Sequence, residues 1–247
     1  MFAGSLVQYL TLIIVSLFGA MIQATIGFGF PVFGMIFFPM VFPFDTAVTL
    51  CQWAGTLGVA YFFVKYFDKI RWKTLLPFII PALAIGGTLT WYSSQVSVQH
   101  LKLALGFVLL GIAATLLLFP DKARLKPSPY TGGAMGALSG VLNGLFAIGG
   151  PPVALYLLPA IGEKIAYIAT VNTYFLAFKA VSLPIRLTNG SVDASHIGLL
   201  IASLVSMTIG SVIGDNIMRL VPKRLLEILV YSFVALSGLI IIIQEWR

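Results

Sequence analysis

Charge is what this chain has least of. Only 9% of its residues are Asp, Glu, Lys or Arg, against roughly 25% in a soluble globular domain. No charged side chain occurs before Asp45. Cysteine is nearly absent: Cys51 stands alone, which excludes an internal disulfide and a cysteine-rich metal site, and it reads as a packing residue. His100 and His196 are the two histidines, both at the ends of apolar runs. No Gly-rich loop closes on Lys-Ser or Lys-Thr, and HExxH is missing, so the familiar signatures of nucleotide hydrolysis and zinc hydrolysis are both lacking. No cofactor, no metal and no enzyme chemistry is expected. The net charge of +7 is not a nucleic-acid signal, because the basic residues cluster at the ends of apolar runs. The basic leader and short apolar core of a cleavable signal are also lacking, so the N-terminus is expected to be retained.

What the chain has in abundance is apolar sequence: 59% hydrophobic residues and a mean hydropathy of +1.01. A membrane-spanning helix needs about 20 mostly apolar residues. The runs that qualify are 6–26 (continuing through an interruption to 42), 46–64, 75–92, 101–119, 131–159 (interrupted), 165–185, 197–217 and 226–244. The expectation is an all-α integral membrane protein with about eight transmembrane helices in two homologous four-helix halves. Its first and fifth helices are broken at Gly/Pro motifs. The polar stretch 121–130 (DKARLKPSPY) separates a first repeat, 1–120, from a second, 131–247.

Topology is read from Lys and Arg. With one crossing per run, nine basic residues (65, 69, 71, 73, 122, 124, 126, 186 and 247) share the side of the N-terminus, and five (102, 164, 219, 223 and 224) lie opposite. That tally places both termini in the cytoplasm with parallel halves. If each interrupted run instead turns back as a hairpin, the parity changes and the halves are inverted.

The interruptions carry the functional signal. Residues 23–34 read QATIGFGFPVFG and residues 143–154 read NGLFAIGGPPVA. With an offset of about 120, Gln23 matches Asn143, Gly29 matches Gly149, Pro31 matches Pro151, and Gln52 matches Asn172. Non-helical backbone at membrane depth is tolerated only where it is buried in protein or lines a watery cavity. Paired interruptions in two halves are the best sequence pointer to a transporter's binding site. Each proline can open a second helical piece (32–42 and 153–158), whose free N–H groups form an anion site. Lys179 lies deep in an apolar run with no acidic residue near it in sequence. It either faces a cavity or snorkels outward. The candidate substrate-binding residues are therefore Gln23, Gly27, Gly29, Pro31, Gln52, Asn143, Gly149, Gly150, Pro151, Asn172 and Lys179. Asp45 reads as a helix cap. Asp215, near a helix end, is a candidate carrier for a coupled proton or a solvated side chain.

Through QATIGFGFPVFG, the GGPP of the second interruption and the duplicated eight-run pattern, essentially the whole chain resembles the sulfite exporter TauE/SafE family, also described as toluene-sulfonate uptake permeases. The resemblance implies secondary transport of small sulfur-containing oxyanions: sulfite, sulfonates such as sulfoacetate, or thiosulfate. The expected setting is the bacterial inner membrane, with the bilayer, the anion and a coupling proton or cation as partners. Alternating access would hold the anion between the two broken helices. A negative-inside potential drives each negative charge outward by about 2.3 kcal/mol per 100 mV, which leans the direction towards export. The alternatives are an anion channel of the same fold, and a membrane-embedded enzyme or assembly subunit.

Overall fold

A computed structural model describes residues 6–93, 127–188 and 196–222, together with 111, 192, 225, 228, 232, 236 and 239. Among these residues there is no β-strand, and the elements in chain order are α1 (Leu6–Ile26), α2 (Phe30–Phe37), α3 (Phe44–Lys65), α4 (Trp72–Tyr92), α5 (Pro129–Phe146), α6 (Gly150–Ala160), α7 (Lys164–Thr188) and α8 (Ile197–Leu220). Short 3₁₀ turns follow α2 and α3. Five helices, α1, α3, α4, α7 and α8, are long and apolar enough to cross a membrane. The expected runs 101–119 and 226–244 lie outside the described residues apart from isolated positions. Asp45 does not cap α3: the helix opens at Phe44 behind Pro43, and Asp45 falls within the first turn.

Both interruptions are present, and both reverse the chain. At residues 27–29 the backbone takes positive φ at Gly27 (91°) and Gly29 (119°), values open to glycine and costly for side chains. α2 then runs back along α1. Its first residue, Phe30, packs on Gly19, and further on the Gln8 side-chain amide donates to the Val41 carbonyl (3.0 Å). The second interruption turns on Ala147, the one non-glycine among the described residues at positive φ (62°). α6 returns along α5: Ser139 binds the Gly149 carbonyl, and Tyr156 comes to lie against Gly132.

These hairpins change the parity on which the basic-residue tally depended. The start of α1 and the end of α2 share one end of the molecule, whereas α3 ends, α4 starts, α7 starts and α8 ends at the other. Contacts fix that second end: Arg71 pairs with Glu163 (3.3 Å), Lys65 pairs with Asp215, and Lys164 donates to the last carbonyls of α8. Lys65, Lys69, Arg71, Lys73, Lys164 and Arg219 therefore gather at one end, opposite the start of α1.

Packing follows close backbone approach. The two most extensive pairings are α4 with α5 and α1 with α8. Without a hydrophobic drive between helices in lipid, small residues that let backbones touch dominate such seams. A methyl on Gly136 would stand 2.1 Å from the Phe78 carbonyl oxygen, and one on Gly140 2.6 Å from that of Ala82. On the other seam, Gly210 meets Leu17 and Ala20, and Gly214 meets Met21 and Ala24. α3 and α7 cross at the centre, with 61% and 67% of their spanning windows buried, against 28% for α4. α8 turns Ile201, Val205, Ile209 and Val212 outward, the face a lipid-exposed helix presents.

Two outcomes are expected. Gly136→Ala forces two backbones apart and should cost about 1–3 kcal/mol, read as a lowered apparent Tm in detergent. In a cysteine-free background, Leu6→Cys and Met40→Cys should react with a membrane-impermeant maleimide from the same side of sealed vesicles, because α2 returns to the end at which α1 starts. Labelling from opposite sides would overturn the hairpin.

Candidate functional site

The two interruptions meet in the interior. Phe28, between Gly27 and Gly29, is fully buried, and a methyl built on Gly150 would stand 2.2 Å from its ring. The chain of each hairpin thus touches the other at the start of its second limb. Neither Gly29 nor Gly149, which precede α2 and α6, receives a side-chain cap, and the first residues of both helices are buried. A helix end buried without capping partners leaves N–H groups seeking an acceptor. The two ends are unequal in donors. Pro31 removes one N–H from α2, whereas Pro151 and Pro152 remove two from α6 and leave Gly150 as its leading donor.

Lys179 sits beside the start of α2 and connects to the second interruption through Gln52. It is 4% exposed, so it does not snorkel. Its Nζ donates to the Gln52 backbone carbonyl (2.6 Å) and reaches the Gln52 Oε1 (3.5 Å). Gly55 allows this passage: a methyl there would lie 2.9 Å from Nζ and 3.4 Å from the ring of Phe30, the first residue of α2. No carboxylate among the described residues pairs with the ammonium.

From Lys179 a directed hydrogen-bond chain leads to the second interruption. Gln52 Nε2 donates to Asn143 Oδ1 (3.4 Å), and Asn143 Nδ2 donates to the Tyr174 hydroxyl (3.3 Å). That hydroxyl lies 2.8 Å from Ser139 Oγ, which donates to the Gly149 carbonyl (2.7 Å). Since Ser139 spends its proton on Gly149, Tyr174 is the donor between the two hydroxyls. In a trans peptide C=O and N–H point in opposite directions. Anchoring the Gly149 oxygen on α5 therefore turns the Gly150 N–H away from α5.

Of the residues expected from sequence, Gln52, Asn143, Lys179 and Gly149 are joined by this chain. Gly150 touches the opposing hairpin, while Gly27, Gly29, Pro31 and Pro151 shape the two turns. Gln23 and Asn172 stand apart. Gln23 is 4% exposed, and no hydrogen bond links its side chain to the described residues. Asn172 is fully buried; it donates to the Ile168 carbonyl while its Oδ1 has no partner among the described residues. Sequence reasoning missed Phe28, Ser139, Tyr174 and Arg186. Arg186 is 2% exposed and its Nη2 donates to the Gly144 carbonyl (2.5 Å). Its signal was a seven-residue spacing, two helical turns, through Asn172, Lys179 and Arg186 on α7.

Asp215 takes no part in this centre, and it is not solvated. It is buried at the basic end of the molecule, paired with Lys65 and, at 3.7 Å, with Arg219. The Tyr61 and Tyr66 hydroxyls donate to its oxygens (3.2 and 2.8 Å). The cluster ties the end of α3 to the end of α8. Among the described residues, no group of three or more His, Cys, Asp or Glu is placed to hold a metal.

The fold describes a multi-span helical membrane protein. The profile of the family "Sulfite exporter TauE/SafE" matches residues 12–241, and the chain belongs to that family. It is also similar to the probable inner membrane transporter protein TsaS of Comamonas testosteroni, at 24% identity over 183 residues, covering 73% of this chain and 76% of that one. No solved structure matches the chain.

Asp215→Asn leaves Lys65 and Arg219 without their counter-ion and replaces one of the two acceptor oxygens that serve the lysine and the tyrosines with an NH2 group. Asp215→Asn should lower stability by about 1–3 kcal/mol, read as a fall in apparent Tm. If Asp215 instead carried a coupled proton, the variant would keep its Tm and lose the pH dependence of flux.

Proposed function

We propose that this protein is a secondary carrier of small sulfur-containing oxyanions (sulfite, sulfonates such as sulfoacetate, or thiosulfate) in the bacterial inner membrane. The observation that carries the reading is the meeting of two buried helix N-termini without side-chain caps, next to a buried lysine that has no carboxylate partner among the described residues. Helix N-termini favour anions through their free N–H groups and the helix dipole. A lysine in a membrane interior costs about 2.5–3.5 kcal/mol on insertion scales, and an anionic guest offsets that cost. The family membership and the similarity to TsaS support the same substrate class and the same membrane.

The anion lies where α2 and α6 begin, held by N–H groups of both, by Lys179 and by the amides of Gln52 and Asn143. Gln23 on α1 and Asn172 on α7 stand apart from this shell in the conformation described and join it only when the centre rearranges around the guest. In the conformation described, the Phe28 ring fills this place and Lys179 is satisfied by Gln52. Binding therefore requires Phe28 to withdraw and the ammonium to exchange a carbonyl for the guest.

Two repeats, 1–120 and 131–247, joined by 121–130, account for the packing. The offset of 120–124 carries the α1–α8 seam onto the α5–α4 seam, and Ala20 beside Gly210 onto Gly140 beside Gly86. With hairpins in both halves the repeats are inverted, the arrangement in which rocking of one half exposes one site to either side. The positive-inside rule puts the end bearing Lys65, Lys69, Arg71, Lys73, Lys164 and Arg219 in the cytoplasm. The start of α1 is then outside, in place of the cytoplasmic N-terminus expected from one crossing per run.

The test is purified protein in liposomes loaded with unlabelled sulfite, thiosulfate or sulfoacetate. External radiolabelled sulfite should exchange inward, and nitrate or a sugar inside should not support exchange. Conductive flux without counterflow would make the protein a channel, and no flux for any anion would remove the transport reading. A charge-assisted hydrogen bond contributes about 1.5–3 kcal/mol, so Lys179→Gln should weaken sulfite binding about tenfold to a hundredfold. Unchanged affinity would take Lys179 out of the site.

A further inference from the structure

We propose that Arg186 forms a second oxyanion subsite, a stopping point between the central site and the end of the molecule opposite the basic cluster. The proposal rests on the transport reading above and assigns a binding role to a residue outside the centre. Arg186 follows Lys179 by two helical turns on the same face of α7, about 10 Å further along the axis.

The guanidinium is enclosed, at 2% exposure. A buried arginine normally pairs with a carboxylate that fills its fork of donors. Here no carboxylate among the described residues forms an ion pair with it. One Nη2 bond goes to the Gly144 carbonyl (2.5 Å), in the last turn of α5, where Thr90 Oγ1 also donates (3.4 Å). The Nε–H is buried with no partner among the described residues. Asp45 acts on the guanidinium only from beyond ion-pair distance, and a planar, desolvated donor edge with an open N–H suits a tetrahedral or pyramidal oxyanion.

The same geometry ties the subsite to movement. Gly144 lies three residues before Ala147, where the second hairpin turns, so the bond joins the outer end of α7 to the limb that carries Asn143 and Ser139. An anion arriving at Nε competes for the guanidinium with the Gly144 carbonyl. Occupancy would loosen α7 from α5 at that end and open the way to Lys179. The equivalent position in the first half, at an offset of 120, is Tyr66, which binds Asp215 at the other end. The subsite is therefore single, and it serves one side of the membrane.

The experiment compares wild type, Arg186→Gln and Arg186→Lys as purified, reconstituted protein, using radiolabelled sulfite for both equilibrium binding and exchange. Wild type is expected to bind two sulfite ions per chain, one tighter than the other. Arg186→Gln should lose the weaker ion and exchange about tenfold more slowly, while the tighter affinity stays as in wild type. Exchange at the wild-type rate would overturn the subsite. So would a joint fall of rate and tight affinity, which would make Arg186 part of the central site. Should Arg186→Gln fail to assemble, Arg186→Lys decides: slower exchange at unchanged tight affinity supports the subsite, and an unchanged rate overturns it. Wild-type protein that binds no sulfite, thiosulfate or sulfoacetate would fail the transport reading itself, an outcome visible before any variant is made.

Discussion

A peptide backbone that leaves the helix inside a bilayer has no water to satisfy its N–H and C=O groups, and every feature of this centre answers that constraint. The two interruptions are enclosed by protein on all sides. Their C-terminal ends close on themselves: Gly27 donates to the Gln23 carbonyl, and Ala147 and Ile148 donate to those of Asn143 and Leu142. The Gly149 carbonyl is held by Ser139. Among the described residues no side chain caps the donor side, the leading N–H groups of α2 and α6, and a donor surplus in a low-dielectric interior attracts an anion. The surplus is reinforced by Lys179, whose only partners among the described residues are the carbonyl and amide oxygens of Gln52. Those oxygens solvate the ammonium without neutralising it.

The hydropathy of the chain gave its class, and the Gly/Pro signatures gave the places where helices stop. Glycine at 27 and 29 and the Gly-Pro run at 149–152 mark their breaks because few other residues tolerate such turns or such close contact. Hydropathy measures how apolar a segment is and not which way it runs, so the reversal after each break was not legible. It appears only in tertiary contacts such as Val41 against Gln8 and Tyr156 against Gly132. The exchanged packing, each broken helix lying on the other half's α4 or α8, was hidden for the same reason. Within the centre, amides and a lysine stand out in an apolar run. Ser139 and Tyr174 do not, since hydroxyls are common in membrane helices and their role depends on what faces them. Arg186 follows Pro184 near a helix end, where arginine ordinarily reaches the interface, and only its burial separates it from that reading.

Backbone and side chains follow different symmetries. The turns, the small-residue seams and the amides occur twice along the chain, whereas at the proposed offset of 120 Lys179 corresponds to Val59 and Tyr174 to Ala54. On the proposed reading, a carrier with inverted halves needs its scaffold twice, because the two end states are reached by exchanging the conformations of the halves, and it needs its charge once, because both end states share one guest. A second lysine at position 59, fully buried on α3, would place two cations against one small anion and raise the cost of the empty state.

The single charge also sets how firmly the empty state must close. With no anion present, Lys179 would be a bare cation in an apolar interior if Gln52 were not at hand, and the empty centre would draw in water or collapse. The Gln52 carbonyl supplies a neutral substitute that the guest can displace. It is weaker than a carboxylate, whose attraction at such depth would trap the lysine permanently. Phe28 fills the remaining volume in the same reversible way, since its contact with Gly150 is dispersive and is lost without leaving a polar group unsatisfied. A carrier must be able to return empty, so its site requires stand-ins that hold less strongly than the substrate. The lysine, its neighbouring carbonyl and the phenyl ring meet that requirement together.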